Sequence, residues 1–117
     1  MNNKFLFIDD DKDFLEELEA YLNNPNVVFA ECHSTDDAIK AIEKNSPNVI
    51  FLDHHLTKDD EGNEGLKIAY AFAKRKDMKI YSTTRDISVL SKYKNLGIEN
   101  ISKFDIEKIE SIIKQQG

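Results

Sequence analysis

The sequence has no long apolar run, a single cysteine, two prolines, four glycines and no excess of positive charge. Crossing a bilayer as a helix takes about 20 consecutive apolar residues, and nothing here approaches that length. The first apolar run, Phe5 to Ile8, is preceded by Asn2, Asn3 and Lys4 and followed at once by carboxylates. A signal-peptide core is therefore not expected, and the expected compartment is the cytoplasm. Cys32 has no second cysteine to pair with, and it follows the apolar stretch Val27 to Ala30, which predicts a buried structural thiol. Lys and Arg number 16 against 22 Asp and Glu, a net charge of −6. That balance argues against non-specific nucleic-acid or anionic-membrane binding through bulk electrostatics and favours a cation or a basic protein patch as partner. Proline and glycine mark turns, with no linker or low-complexity segment between them. What is present is 117 residues with 40% hydrophobic and 32% charged side chains, enough for one domain with one core and too few for two.

The apolar pattern alternates between two periods. Lys4 to Ile8 reads as a strand buried on both faces, ended by Asp9, Asp10 and Asp11. Phe14, Leu15, Leu18, Tyr21 and Leu22 then form a helical stripe, closed by the turn residues Asn23 to Asn26. Val27 to Ala30 predicts a second strand, and Ser34 with Asp37 a capping box opening a helix through Ala38, Ile39, Ala41 and Ile42. Val49 to Leu52 is a third, fully apolar strand ending at Asp53, and Gly65 to Lys76 a helix. Ile80 and Tyr81 seed a weaker fourth strand, Ile87 to Asn95 a helix, Ile98 to Ile101 a short fifth strand, and Ile106, Ile109, Ile112 and Ile113 a C-terminal amphipathic helix. Five strands alternating with five helices imply an α/β fold with a parallel sheet and helices on both faces, because parallel strands need right-handed crossovers. Ligands of such sheets bind beyond the carboxyl ends of the strands, near the point where strand order reverses.

The chemistry-bearing residues gather at that edge. With the first and third strands as neighbours, Asp9, Asp10 and Asp53 converge, and three crowded carboxylates raise one another's pKa values unless a cation is bound. Oxygen donors favour magnesium, manganese or calcium over zinc. The plainer reading makes Asp9 to Asp11 turn and helix-capping residues. Ser82, Thr83 and Thr84 follow the fourth strand, and Lys103 follows the fifth as the one cation placed to reach the same edge. A carboxylate nucleophile, a metal site, a hydroxyl and an ammonium are together what phosphoryl transfer to an aspartate requires.

Through Phe7 to Asp11, Pro47 to Asp53, Thr83 to Asp86 and Gly97 with Lys103 the chain resembles, over essentially its whole length, the receiver domains of two-component response regulators. The resemblance implies a flavodoxin-like doubly wound fold with five parallel strands in the order 2-1-3-4-5, spanning residues 1–117 without an output domain. It implies Asp53 as phosphoacceptor, Thr83 as switch hydroxyl and Lys103 as phosphoryl-binding ammonium, with Ser82 an alternative to Thr83. Mg2+ or Mn2+ would be held by Asp10, Asp53 and the backbone carbonyl of His55, and by Asp9 through water. The implied partners are a histidine kinase or histidine phosphotransfer protein and an effector protein, and the only catalysis implied is of the domain's own phosphorylation and dephosphorylation.

Several positions depart from the family's pattern. Thr57 stands where a proline is usual, and residues 58–64 lengthen and acidify the loop before Gly65. Phe104 replaces the proline that normally follows the lysine, Thr84 replaces a small residue, and Asn100 or Ile101 stands where the fifth strand usually has an aromatic. His54 and His55 directly follow Asp53, where side chains flank the phosphoryl group, and Arg85 either guards the attacking water or pairs with the acidic loop. These departures leave open a receiver-fold binding module that signals without phosphorylation. A haloacid-dehalogenase-like phosphohydrolase would instead use Asp9 as nucleophile. Asp53 to His55 also resembles the motif of DHH phosphoesterases, a family of longer chains, and a cyclic-phosphate-processing receiver is a further minor alternative.

Overall fold

A computed structural model of the chain describes residues 3–56 and 64–116. Among them are five strands and five α-helices in alternation: β1 (Phe5–Asp9), α1 (Lys12–Leu22), β2 (Val27–Glu31), α2 (Thr35–Asn45), β3 (Val49–Leu52), α3 (Glu64–Phe72), β4 (Lys79–Ser82), α4 (Leu90–Asn95), β5 (Glu99–Asn100) and α5 (Ile106–Gln116). All strand pairings are parallel, and the order is β2-β1-β3-β4-β5. This is the order expected from the sequence, with the reversal between β1 and β3.

Local chemistry explains most boundaries. Asp11 is the N-cap of α1, its side chain accepting from Phe14 N, and the helix ends at Asn23 in the left-handed region. Ser34 caps α2 by accepting from Asp37 N at 3.0 Å, and Asp37 accepts in return from His33 N at 3.2 Å, one residue before the cap. Ser46, at φ 45°, closes α2 with its N–H on Ile42 O. Serine is less at ease than glycine in that conformation, so Ser46→Gly is expected to raise stability by about 0.5–1 kcal/mol, read as a higher urea midpoint.

Three elements differ from their sequence expectations. α3 stops at Phe72, four residues short of Lys76, because Lys74 to Asp77 brings four charges and no residue for the apolar face. The segment expected as one helix from Ile87 to Asn95 opens with a 3-10 turn, Ile87–Val89, capped by Asp86. β5 is only two residues long, flanked by buried Ile98 and Ile101.

Alternation along the strands divides the core into two layers. Leu6, Ile8, Ile50, Leu52 and Ile80 face α2, α3 and α4, whereas Phe5, Phe7, Val49, Phe51 and Tyr81 face α1 and α5. In the second layer the register places Phe29, Phe7, Phe51 and Tyr81 in one cross-strand row, and their rings stack at 5.4, 4.3 and 5.4 Å. Each such pair contributes about 0.5–1.5 kcal/mol beyond its buried area, which holds β1 and β3 in the register that brings their C-terminal ends together. Cys32 is 2% exposed and packs in the first layer, as expected of a structural thiol. Among the described residues no helix is long and apolar enough to cross a membrane.

Candidate functional site

The ends of β1, β3 and β4 and the segment after β5 meet at one edge. Asp9 is the last residue of β1, Asp10 follows it, and Asp53 follows β3 with its N–H on Ile8 O at 3.0 Å. One carboxylate oxygen from each of Asp9, Asp10 and Asp53 lies within 4.8 Å of the others. The parallel register makes this unavoidable, since Ile8 pairs with Leu52 and the next residues of both strands emerge side by side. A cavity of about 240 Å³ opens there, lined by Asp10, Asp53, His55, Thr83, Thr84, Arg85, Asp86 and Lys103.

Burial governs the electrostatics. Asp53 is 8% exposed, and desolvation, reinforced by the charge of Asp9, pushes its carboxyl up to about 7, while Lys103 pulls in the opposite direction. Asp9 is also raised, chiefly by desolvation, against the Asp11 N–H that bonds its Oδ1 at 2.9 Å and against Lys103. Lys103 Nζ reaches Asp9 Oδ2 at 3.4 Å and lies 5.0 Å from the centre of the Phe14 ring. No peptide bond among the described residues is cis, so Lys103 enters the pocket with an ordinary trans bond to Phe104.

The hydroxyls separate cleanly. Thr83, 3% exposed, extends β4 with its N–H on Leu52 O and lines the cavity. Ser82, one residue earlier, points the other way and donates to Asn100 Oδ1 at 2.7 Å. Asn100 Nδ2 also donates to Thr84 O at 3.3 Å, so Asn100 makes a polar clasp between β4 and β5. Arg85 lies over the exposed Phe104 ring, its guanidinium carbon 5.1 Å from the ring centre. The acidic loop, apart from Glu64, lies outside the described residues, and with it Thr57 and any pairing of Arg85 with that loop.

The two histidines have different surroundings. His54 is fully buried, and its Nδ1 hydrogen-bonds Tyr93 Oη of α4 at 2.7 Å. His55 is half exposed and meets Asp86 Oδ2 through Nε2 at 3.3 Å. Sequence reasoning gave Tyr93 and Asp86 no role. Their partners lie 39 and 31 positions away, and no spacing rule links such pairs.

The family model of the response regulator receiver domain matches residues 5–114. None of the curated proteins matches the chain significantly. Among solved structures, the signal receiver domain of a DNA-binding response regulator from Colwellia psychrerythraea 34H is 23% identical, with a TM-score of 0.78 and 97% of each chain covered. The BeF3-activated N-terminal receiver domain of RstA from Klebsiella pneumoniae is 19% identical, with a TM-score of 0.75 and 97% of each chain covered. A CheY-like receiver domain from Methylobacillus flagellatus is 18% identical, with a TM-score of 0.76 and 100% of each chain covered. Identities this low speak for the fold, and the match to the family model over nearly the whole chain speaks for kinship: the chain belongs to the response regulator receiver domain family.

Proposed function

We propose that the chain accepts a phosphoryl group on Asp53 in a two-component phosphorelay and signals through a protein partner. The observation that carries this reading is the meeting of Asp53 with Asp10, Thr83 and Lys103 around one small cavity, with Asp9 buried behind it. Three carboxylates within 4.8 Å, two of them with raised pKa values, fit a hard divalent cation such as Mg2+ or Mn2+. Asp9, Asp10 and Asp53 would hold it with the backbone carbonyl of His55, and when bound it supplies neutralisation of the transferring oxygens.

The protein's own groups account for the rest. An ionised Asp53 oxygen attacks phosphorus and forms an O–P bond as the P–N bond to the donor histidine breaks. The electron pair leaves with the imidazole, which takes up a proton. Thr83 donates a hydrogen bond to one phosphoryl oxygen, and Lys103 leaves Asp9 to pair with another. Asp9 is less suited to be the nucleophile of a dehalogenase-like reaction, because it is 2% exposed and already engaged by Lys103 and the Asp11 N–H.

An effector face is placed by the same reading on α4 and β5, where a groove of about 420 Å³ is lined by Leu90, Lys94, Gly97, Ile98, Glu99 and Asn100. The clasp between Ser82, Asn100 and Thr84 favours the second reading, a module that binds without phosphorylation, since it ties down strands that a hydroxyl–aromatic switch would rearrange.

The test is to incubate the protein with Mg2+ and acetyl phosphate and weigh it intact. Wild type is expected to gain the mass of one phosphoryl group and Asp53→Asn none. An unreactive wild type supports the binding module, and labelling lost in Asp9→Asn but kept in Asp53→Asn supports the hydrolase.

A further inference from the structure

Beside the oxygen-only cluster the structure holds a second group of metal-ligating side chains with different chemistry. His54, His55 and Asp86 each offer one donor atom, and these atoms lie within 4.8 Å of one another. We propose that they form a second cation site, selective for a nitrogen-preferring transition ion of the zinc class, at the mouth of the acidic pocket.

Donor type separates the two sites. Asp9, Asp10 and Asp53 present only hard carboxylate oxygens, whereas two imidazoles and one carboxylate are a set that Zn2+, Co2+ and Ni2+ prefer and Mg2+ does not. Distance permits binding. Bonds of about 2.0–2.1 Å in a tetrahedron place donors about 3.4 Å apart, so the cluster has to contract by no more than about 1.4 Å. One edge is already at that length, because His55 Nε2 and Asp86 Oδ2 are 3.3 Å apart. Both of these side chains are partly exposed, so the remaining contraction falls on the edges to His54.

The surroundings hold the donors in place. Asp86 Oδ1 accepts from Ser88 N at 3.0 Å and from Ser88 Oγ at 2.5 Å, which turns Oδ2 toward His55. The Asp86 N–H bonds Thr84 Oγ1 at 3.0 Å, fixing the backbone that carries the carboxylate. The His54 ring is held by Tyr93 Oη, an outer contact of the kind that orients ligating histidines. Three protein donors leave a fourth position for an exogenous ligand, as in zinc sites that admit one. Occupied, the site ties the residues after β3 to the segment before α4 across the pocket that Asp53 lines.

The full chain, titrated with ZnCl2 by calorimetry in buffer containing millimolar Mg2+, is expected to bind one Zn2+ per molecule. Co2+ is expected to give the visible absorption bands of a four- or five-coordinate site. His55→Ala and Asp86→Ala are each expected to weaken Zn2+ binding at least tenfold, following the loss of one ligand of three. Asp10→Asn, which alters only the oxygen cluster, is expected to leave it within twofold. His33→Ala serves as a control for the exposed pair that His33 forms with Glu31, and is likewise expected to leave binding intact. The proposal is overturned if wild type binds no Zn2+, if Asp10→Asn abolishes binding, or if both His55→Ala and Asp86→Ala bind as wild type does.

Discussion

In the absence of divalent cations, the protein is expected to lose stability as pH rises from about 4 to about 7, the reverse of the usual behaviour of a carboxylate. The sign follows from Asp53. Its carboxyl ordinarily titrates at 3.8 and in the fold is raised to about 7, so between those values the folded state holds a proton that the unfolded chain has released. Stability is then fully present below the unfolded pKa, falls through the interval and levels off above the folded pKa. At about 1.4 kcal/mol per pH unit the loss is on the order of 4 kcal/mol, a large part of the whole stability of a small domain. Asp9, raised for the same reason, acts in the same direction. Asp86, lowered by Ser88, and Asp77, lowered by Arg75, lose their contributions only as pH falls below the ordinary carboxylate range, outside this window. On the proposed reading Mg2+ binds the ionised cluster of the folded state alone, and it is therefore expected to reverse the effect. Urea unfolding at a series of pH values, with EDTA and with Mg2+, reads all of this. Asp53→Asn in EDTA is expected to be more stable than wild type at pH 8 and to have most of the slope removed. A wild type whose stability is flat from pH 4 to 8 in EDTA, or an Asn variant with the same slope, would remove the electrostatic account of the site.

A second large effect is expected at Gly65. Replacing glycine by alanine within a helix ordinarily stabilises it by about 0.5–1 kcal/mol. At Gly65 a Cβ would stand 2.4 Å from Tyr93 Oη, 2.7 Å from His54 Cα and 2.9 Å from Asp53 O. Two of those three atoms are backbone of the segment that carries Asp53, and Gly65 N–H itself bonds His54 O at 3.0 Å. Neither side can withdraw without moving the peptide between Asp53 and His54. Gly65→Ala is therefore expected to destabilise the protein by about 3 kcal/mol, at the upper end of overpacking costs, and to slow labelling by acetyl phosphate even where the protein remains folded. Adding Tyr93→Phe removes the closest of the three atoms and should recover only part of the stability, since the backbone contacts remain. A Gly65→Ala protein as stable and as reactive as wild type would mean that α3 can slide away from the strand end.

These two residues mark the limit of what could be read along the chain. The strands β1 and β3 were legible as unbroken apolar runs, and their order followed from the receiver resemblance. Asp9, Asp10 and Asp53 were placed together because residues that follow paired parallel strands must emerge side by side. The stretch expected as the fifth strand, Ile98 to Ile101, is longer than β5 itself, because Ile98 and Ile101 are apolar for the core beneath them, while only Glu99 and Asn100 pair with β4. α3 was overextended because Ala73 continued its periodicity into four charged residues.

The choice between Ser82 and Thr83 was open in the sequence, since either hydroxyl fits the end of a strand. Pleating decides which of two successive side chains faces the cavity, and the β3–β4 register, with Leu52 opposite Ser82, gives that place to Thr83. The sequence by itself determined the alternation of elements, because it follows from the periods of two and 3.6 along the chain, and it placed Asp9, Asp10 and Asp53 at the C-terminal ends of strands. Tertiary structure alone decided that Tyr93 holds His54, that Asp86 meets His55, that Asn100 clasps Ser82, and that burial pushes the carboxyl of Asp53 up to about 7. Those facts depend on burial and on distances between residues remote in sequence, and neither is encoded in any local pattern.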